Sequence, residues 1–166
     1  MQFLLSLLLA LVPMQAAPAA DATAPPAGAV VVATAVGSGV QIYACQVQDG
    51  QPQWVFQAPA ADLFDPQTRQ HVGVHAAGPS WTWADGSALA GTVKAKQASP
   101  DAHAIPWLLV EVHSTGSEGV LSHVAWVRRS ETQAGQAPAT GCDASQVGTK
   151  LNVPYQALYT FYRAAQ

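Results

Sequence analysis

Charge is scarce in this chain of 166 residues: Asp, Glu, Lys and Arg make up only 10% of it, and the net charge is −3. No basic surplus exists to track a phosphate backbone, which excludes nucleic acid as an expected partner. Hydrophobic residues reach 49%, the reverse of the balance that keeps a chain disordered. No apolar run is long enough to cross a bilayer as a helix. Catalytic signatures are missing as well. The sequence holds no G-x-S-x-G elbow, no H-E-x-x-H pair and no C-x-x-C, so a hydrolase nucleophile, a zincin site and a thioredoxin-like redox pair have no local basis. Cysteine is limited to Cys45 and Cys142.

The length suits one domain. Residues 3–12 form an uncharged run, Phe-Leu-Leu-Ser-Leu-Leu-Leu-Ala-Leu-Val, followed by small residues that include Ala17-Pro18-Ala19. That is the length and sequel of a secretory signal peptide, although no Lys or Arg precedes it. The expected organisation is a signal peptide over 1–20, a loose Ala/Pro-rich leader over 21–28, and a β domain over 29–166. The mature chain is then secreted or periplasmic, with no transmembrane segment. In an oxidising compartment one Cys45–Cys142 bridge is the default reading, with two separate buried thiols as the alternative.

The domain reads as all-β. Runs rich in Val, Thr, Ile and aromatics predict strands at 30–36, 40–47, 53–57, 72–76, 80–84, 89–97, 107–114, 120–129 and 155–163. Gly37-Ser38-Gly39, Asp49-Gly50, Gly78-Pro79, Asp85-Gly86 and Gly116–Gly119 punctuate them as turns. Short strands at this spacing predict an antiparallel sandwich or barrel of about eight to ten strands. Residues 132–154 carry few large apolar side chains and read as a long loop.

Two groups of residues are candidates for chemistry. Trp81 and Trp83 are two apart, so on a strand both indoles share a face. With His75, Asp85 and Ser87 at the rim, they predict a binding platform for a small molecule, a glycan or an envelope component. The competing reading makes the indoles core and Asp85-Gly86 a plain hairpin turn. The second group is Glu111, His113 and His123. A hairpin centred on Ser117 would oppose Leu108 to Trp126, Val110 to Val124 and Glu111 to His123, offering a weak Zn or Cu ligand set on one sheet face. His71 and His75 lie too far apart on a strand for one ion. A Ser87/His75/Asp85 triad can be written down, but Asp85 and Ser87 fall in one turn.

The order of several segments is distinctive: Gln41-Ile42-Tyr43-Ala44-Cys45, His75 through Trp81-Thr82-Trp83 to Ser87, Ile105-Pro106-Trp107-Leu108-Leu109, Val127-Arg128-Arg129, Gln136 to Cys142, Val153-Pro154-Tyr155, and Tyr159-Thr160-Phe161-Tyr162. Together they resemble an uncharacterised secreted family of bacteria and fungi, domain of unknown function 3455, over about Val30 to Arg163. The resemblance implies an exported single domain with a Cys45–Cys142 bridge, and no established activity. Some fungal members carry a malate dehydrogenase label. This chain offers it no support, because Gly37-Ser38-Gly39 lacks the third glycine and the helix of a dinucleotide site. Where the family has a glycine pair, this chain has Ala134-Gly135. The expected function is therefore non-enzymatic binding outside the cytoplasm, without a cofactor. The alternative is a secreted hydrolase or metal-dependent enzyme using His and Glu on a sheet face.

Overall fold

The computed structural model describes residues 20–165, so the expected signal peptide lies, apart from Ala20, outside the described residues. Eight strands follow one another: β1 (Val30–Gln48), β2 (Gln51–Phe64), β3 (His71–Ala76), β4 (Ser80–Trp83), β5 (Ala88–Gln97), β6 (Trp107–Ser114), β7 (Trp126–Ala134) and β8 (Lys150–Arg163). Each pairs antiparallel with the next, and β8 returns to β1 along Val30↔Arg163 to Ala44↔Lys150. The sheet is thus a closed barrel. A single disulfide joins Cys45 to Cys142, 97 residues apart, with Cα atoms 5.4 Å apart.

Some turns form as their residues predict. Asp49 and Gly50 have φ of 52° and 77°, the pair of positive values that a two-residue hairpin between right-twisted strands requires. Gly37-Ser38-Gly39 does not turn. It lies within β1, which therefore joins two expected strands into one of 19 residues. The reason is packing inside the barrel: a Cβ at Gly37 would sit 2.4 Å from Tyr159 Cε2. Glycine here admits a neighbouring ring rather than bending the chain.

The β6–β7 hairpin departs from its expected register. Val110 pairs with Val127, not Val124, and Glu111 faces Trp126, not His123. Residues 120–124 leave the sheet, and the loop 115–124 folds over one end of the barrel, while Ala125 still bonds to Val112 and Tyr162 on either side. Leu121 and Val124, which are β-prone by type, serve there as a plug with 0% and 4% exposure. The expected loop over 132–154 is also shorter. β7 continues to Ala134 through a register shift after Ser130, and β8 starts at Lys150. Ala134 has φ 53° beside Gly135 at 86°, a left-handed conformation that a glycine would adopt without the Cβ clash.

The leader is docked rather than loose. Thr23 is fully buried. The Arg128 guanidinium donates to the Asp21 carboxylate, and Ala22 N–H donates to Gln97 Oε1 at 2.7 Å. These contacts hold residues 21–23 against the outer wall of β5 and β7.

The wall has a gap at its shortest hairpin. The β3–β4 hairpin is short: β2 meets β3 only over Ala61–Phe64, and β5 meets β4 only over Ala88–Ala90. Above the turn at Gly78-Pro79, β2 and β5 face each other across a notch.

Candidate binding site in the barrel lumen

Alternation along each strand sends every second side chain inward. Toward the plugged end this fills the barrel. His75 and Trp81 are cross-strand partners, and their rings stack at 4.7 Å and 13°. Phe161 meets both Trp81 and Trp83 edge-on at 6.3 and 5.5 Å, and Tyr159 packs on His75 at 5.0 Å. These aromatic rings make a floor.

Above the floor the barrel is hollow. A cavity of about 300 Å³ is walled by His75, Trp81, Leu108, Val110, Arg129 and Tyr159, and it opens at the notch between Phe56, Gln57, Pro59, Pro79 and Val93. A second hollow of about 340 Å³ shares Phe56, Val93, Leu108 and Arg129 with the first and adds Gln41, Tyr43 and Lys96. Four common wall residues set these two lobes of the lumen side by side. Phe56 and Val93 at the mouth are 49% and 44% exposed, so its rim presents apolar surface to solvent.

The polar groups of the lumen are few and specific. Arg129 is buried and faces Tyr159 and Leu108 across the neighbouring strands. Its Nε and Nη2 donate to the Pro106 carbonyl at 3.2 and 2.8 Å. No carboxylate pairs with it among the described residues. Tyr155 and Tyr159 share a hydrogen bond of 2.9 Å. Burial pushes both hydroxyls above their ordinary range, Tyr159 furthest, with Tyr155 adding to its shift and Arg129 opposing it. The Trp81 indole N–H and the Gln41 amide nitrogen are buried without an acceptor.

His75 is neutral at ordinary pH. Its Nδ1 lies 2.8 Å from the Ser80 carbonyl, which can only accept, so Nδ1 carries the proton. Burial lowers the imidazole from its ordinary value to about 4, the Ser80 bond resists this, and the Arg129 charge reinforces it. Between that value and about pH 6.5 the unfolded chain binds the proton that the barrel refuses. The contribution of His75 to stability is therefore complete above about pH 6.5 and is lost as pH falls toward 4, a change of about 3 kcal/mol. Asp85 and Asp143, held low chiefly by hydrogen bonds from Ser87 and Ser145, act in the same direction. Denaturant melts from neutral pH down to about pH 4 should thus show His75→Phe losing less stability than the parent. Equal losses would contradict burial of a neutral ring.

The residues singled out from sequence separate into two places. Trp81 and Trp83 do share a face, but it is the inner one: Trp81 is 2% exposed and Trp83 half-buried. No solvent-facing platform forms. Asp85 and Ser87 belong to the plug. Asp85 accepts from Ser87 Oγ at 2.6 Å and from Val120 N–H at 2.8 Å, while Ser87 Oγ accepts from Leu121 N–H at 3.2 Å. They staple the β4–β5 turn to the loop that closes the barrel. His75 bonds to Ser80, so the written triad does not assemble. The Glu111, His113 and His123 set does not converge either. Glu111 pairs with Lys94 at 2.7 Å, both histidines are exposed, and no cluster of three or more metal-ligating side chains occurs among the described residues. His71 reaches Asp62 at 3.2 Å on the surface.

A family model described as Protein of unknown function (DUF3455) matches residues 26–163. The chain belongs to the DUF3455 family. No curated protein matches it, and no solved structure matches it. The DUF3455 match takes in all eight strands and every wall of the lumen. Sequence reasoning missed Arg129 and Gln41 as lumen residues. The signal was present as strict alternation, since Val127 and Arg129 pair with Val110 and Leu108, but the doublet Arg128-Arg129 looks like surface.

Proposed function

We propose that this protein is an exported, non-enzymatic binding protein that holds a small molecule with an apolar body inside its barrel. The half-filled lumen carries this reading. An eight-stranded barrel is wide enough either to be packed by its own side chains or to hold one small ligand, and here the plugged half is packed while the other half is hollow. The cavity of about 300 Å³ falls at the small end of ligand pockets, and its mostly apolar wall with a few placed polar groups is their usual composition. The sealed floor disfavours a glycan, which would stack on an exposed ring. Export is supported by the disulfide, which persists in oxidising compartments, and by the apolar run at residues 3–12.

The test uses an uncharged aromatic probe, 2-naphthamide, followed by tryptophan fluorescence and calorimetry. The expected result is saturable one-site binding that Leu108→Trp, which fills the lumen from β6, abolishes without changing the far-ultraviolet circular dichroism. Absence of saturable binding to the parent protein, by this amide and by apolar carboxylates of similar size alike, would overturn the proposal.

A further inference from the structure

We infer that the ligand is an anion, a small carboxylate with an apolar body, and that Arg129 receives its head group. This rests on the lumen being a binding site, and it adds the ligand's charge. The chain as a whole is negative, at −3, yet its lumen is the opposite. Neither lobe is lined by a single Asp or Glu, while Arg129 lies at the junction of the two and Lys96 stands at the mouth of one. Both cations lack a carboxylate partner among the described residues.

A buried guanidinium whose polar neighbours are neutral, the Pro106 carbonyl and the Tyr159 hydroxyl, is costly, because neutral groups do not replace the lost hydration of a charge. The Pro106 carbonyl takes Nε and Nη2, and no carboxylate balances the charge among the described residues. A carboxylate is the planar group that this unbalanced guanidinium charge accommodates best. Two residues that line the lumen, Trp81 and Gln41, each carry a buried donor nitrogen without an acceptor. The neutral His75 brings no negative charge, and the tyrosine hydroxyls stay protonated. The apolar body would then lie along Leu108, Val110 and the His75–Trp81 floor, with its exit at Phe56.

The experiment compares 2-naphthoate and decanoate, each against its own primary amide, by calorimetry at neutral pH. Wild type is expected to bind each carboxylate at least about tenfold more tightly than the amide. Arg129→Gln should remove that preference, bringing each acid and its amide to similar affinity, and Arg129→Lys should retain part of it. Lys96→Gln, at an exposed position where folding is not at risk, should weaken only the carboxylates, by a few-fold and less at high salt. Equal affinity of wild type for acid and amide would overturn the charge assignment while leaving the binding proposal intact. A preference that survives Arg129→Gln would overturn the role of Arg129. Failure of all four compounds to bind wild type would overturn the binding proposal and this inference with it.

Discussion

Trp81→Ala lowers the unfolding free energy by about 3–5 kcal/mol, the range for removing a buried large aromatic, and the melting temperature by roughly 10–20 °C. The size follows from position. Trp81 is 2% exposed and touches three aromatic neighbours, His75, Tyr159 and Phe161, so nothing can collapse into the space without dismantling the floor. Trp83→Ala, at a half-buried position with Phe161 as its aromatic partner, costs less. The comparison is decided by paired denaturant titrations with a probe other than tryptophan fluorescence. A Trp81 effect no larger than that of Trp83 would mean that the floor is not the packed layer described above.

Reducing the disulfide is the second large effect. In the chain-entropy treatment, releasing a closed loop of this length costs about 4–5 kcal/mol, as an upper figure. The folded barrel should survive reduction, because Cys45 also holds the loop through its backbone: its N–H donates to Thr149 O and its carbonyl accepts from Gly148 N–H, both at 2.9 Å. Neither sulfur lines the lumen. The expected outcome is therefore a large drop in denaturation midpoint, with the circular dichroism of the folded state and 2-naphthamide binding unchanged. Cys45→Ala/Cys142→Ala should match the reduced protein. Loss of binding on reduction would show that the bridge shapes the native lumen rather than only restricting the unfolded chain.

Fold class was legible because it depends on composition and short-range alternation. Val- and Thr-rich runs, Asp49-Gly50 and Asp85-Gly86 each report a strand or turn locally. What could not be read depends on distant partners. Gly37 resembles a turn until Tyr159 is known to lie against it. Val120, Leu121 and Val124 have strand composition, and only the open end of a barrel calls them out of the sheet. That excursion also moved Glu111 away from His123 and dissolved the supposed ligand set. The candidate site was half legible. The two-residue spacing showed that Trp81 and Trp83 share a side, but spacing is blind to which side is inside. Arg129 was hidden for the same reason: closure gives a strand residue its lumen position, and no local pattern records closure.

The notch between β2 and β5 has a cost of its own. A complete ring offers no unpaired backbone, whereas here the upper parts of two strands each pair on one side only. Such exposed borders invite strand addition from another molecule and, with it, aggregation. The sequence places deterrents there: Pro52 and Pro59 on β2, which cannot donate, and Lys94 at the irregularity in β5 with Lys96 beyond it. Substitutions at these positions should leave the barrel folded and shorten its lifetime in concentrated solution, so solubility rather than melting is the trait they guard.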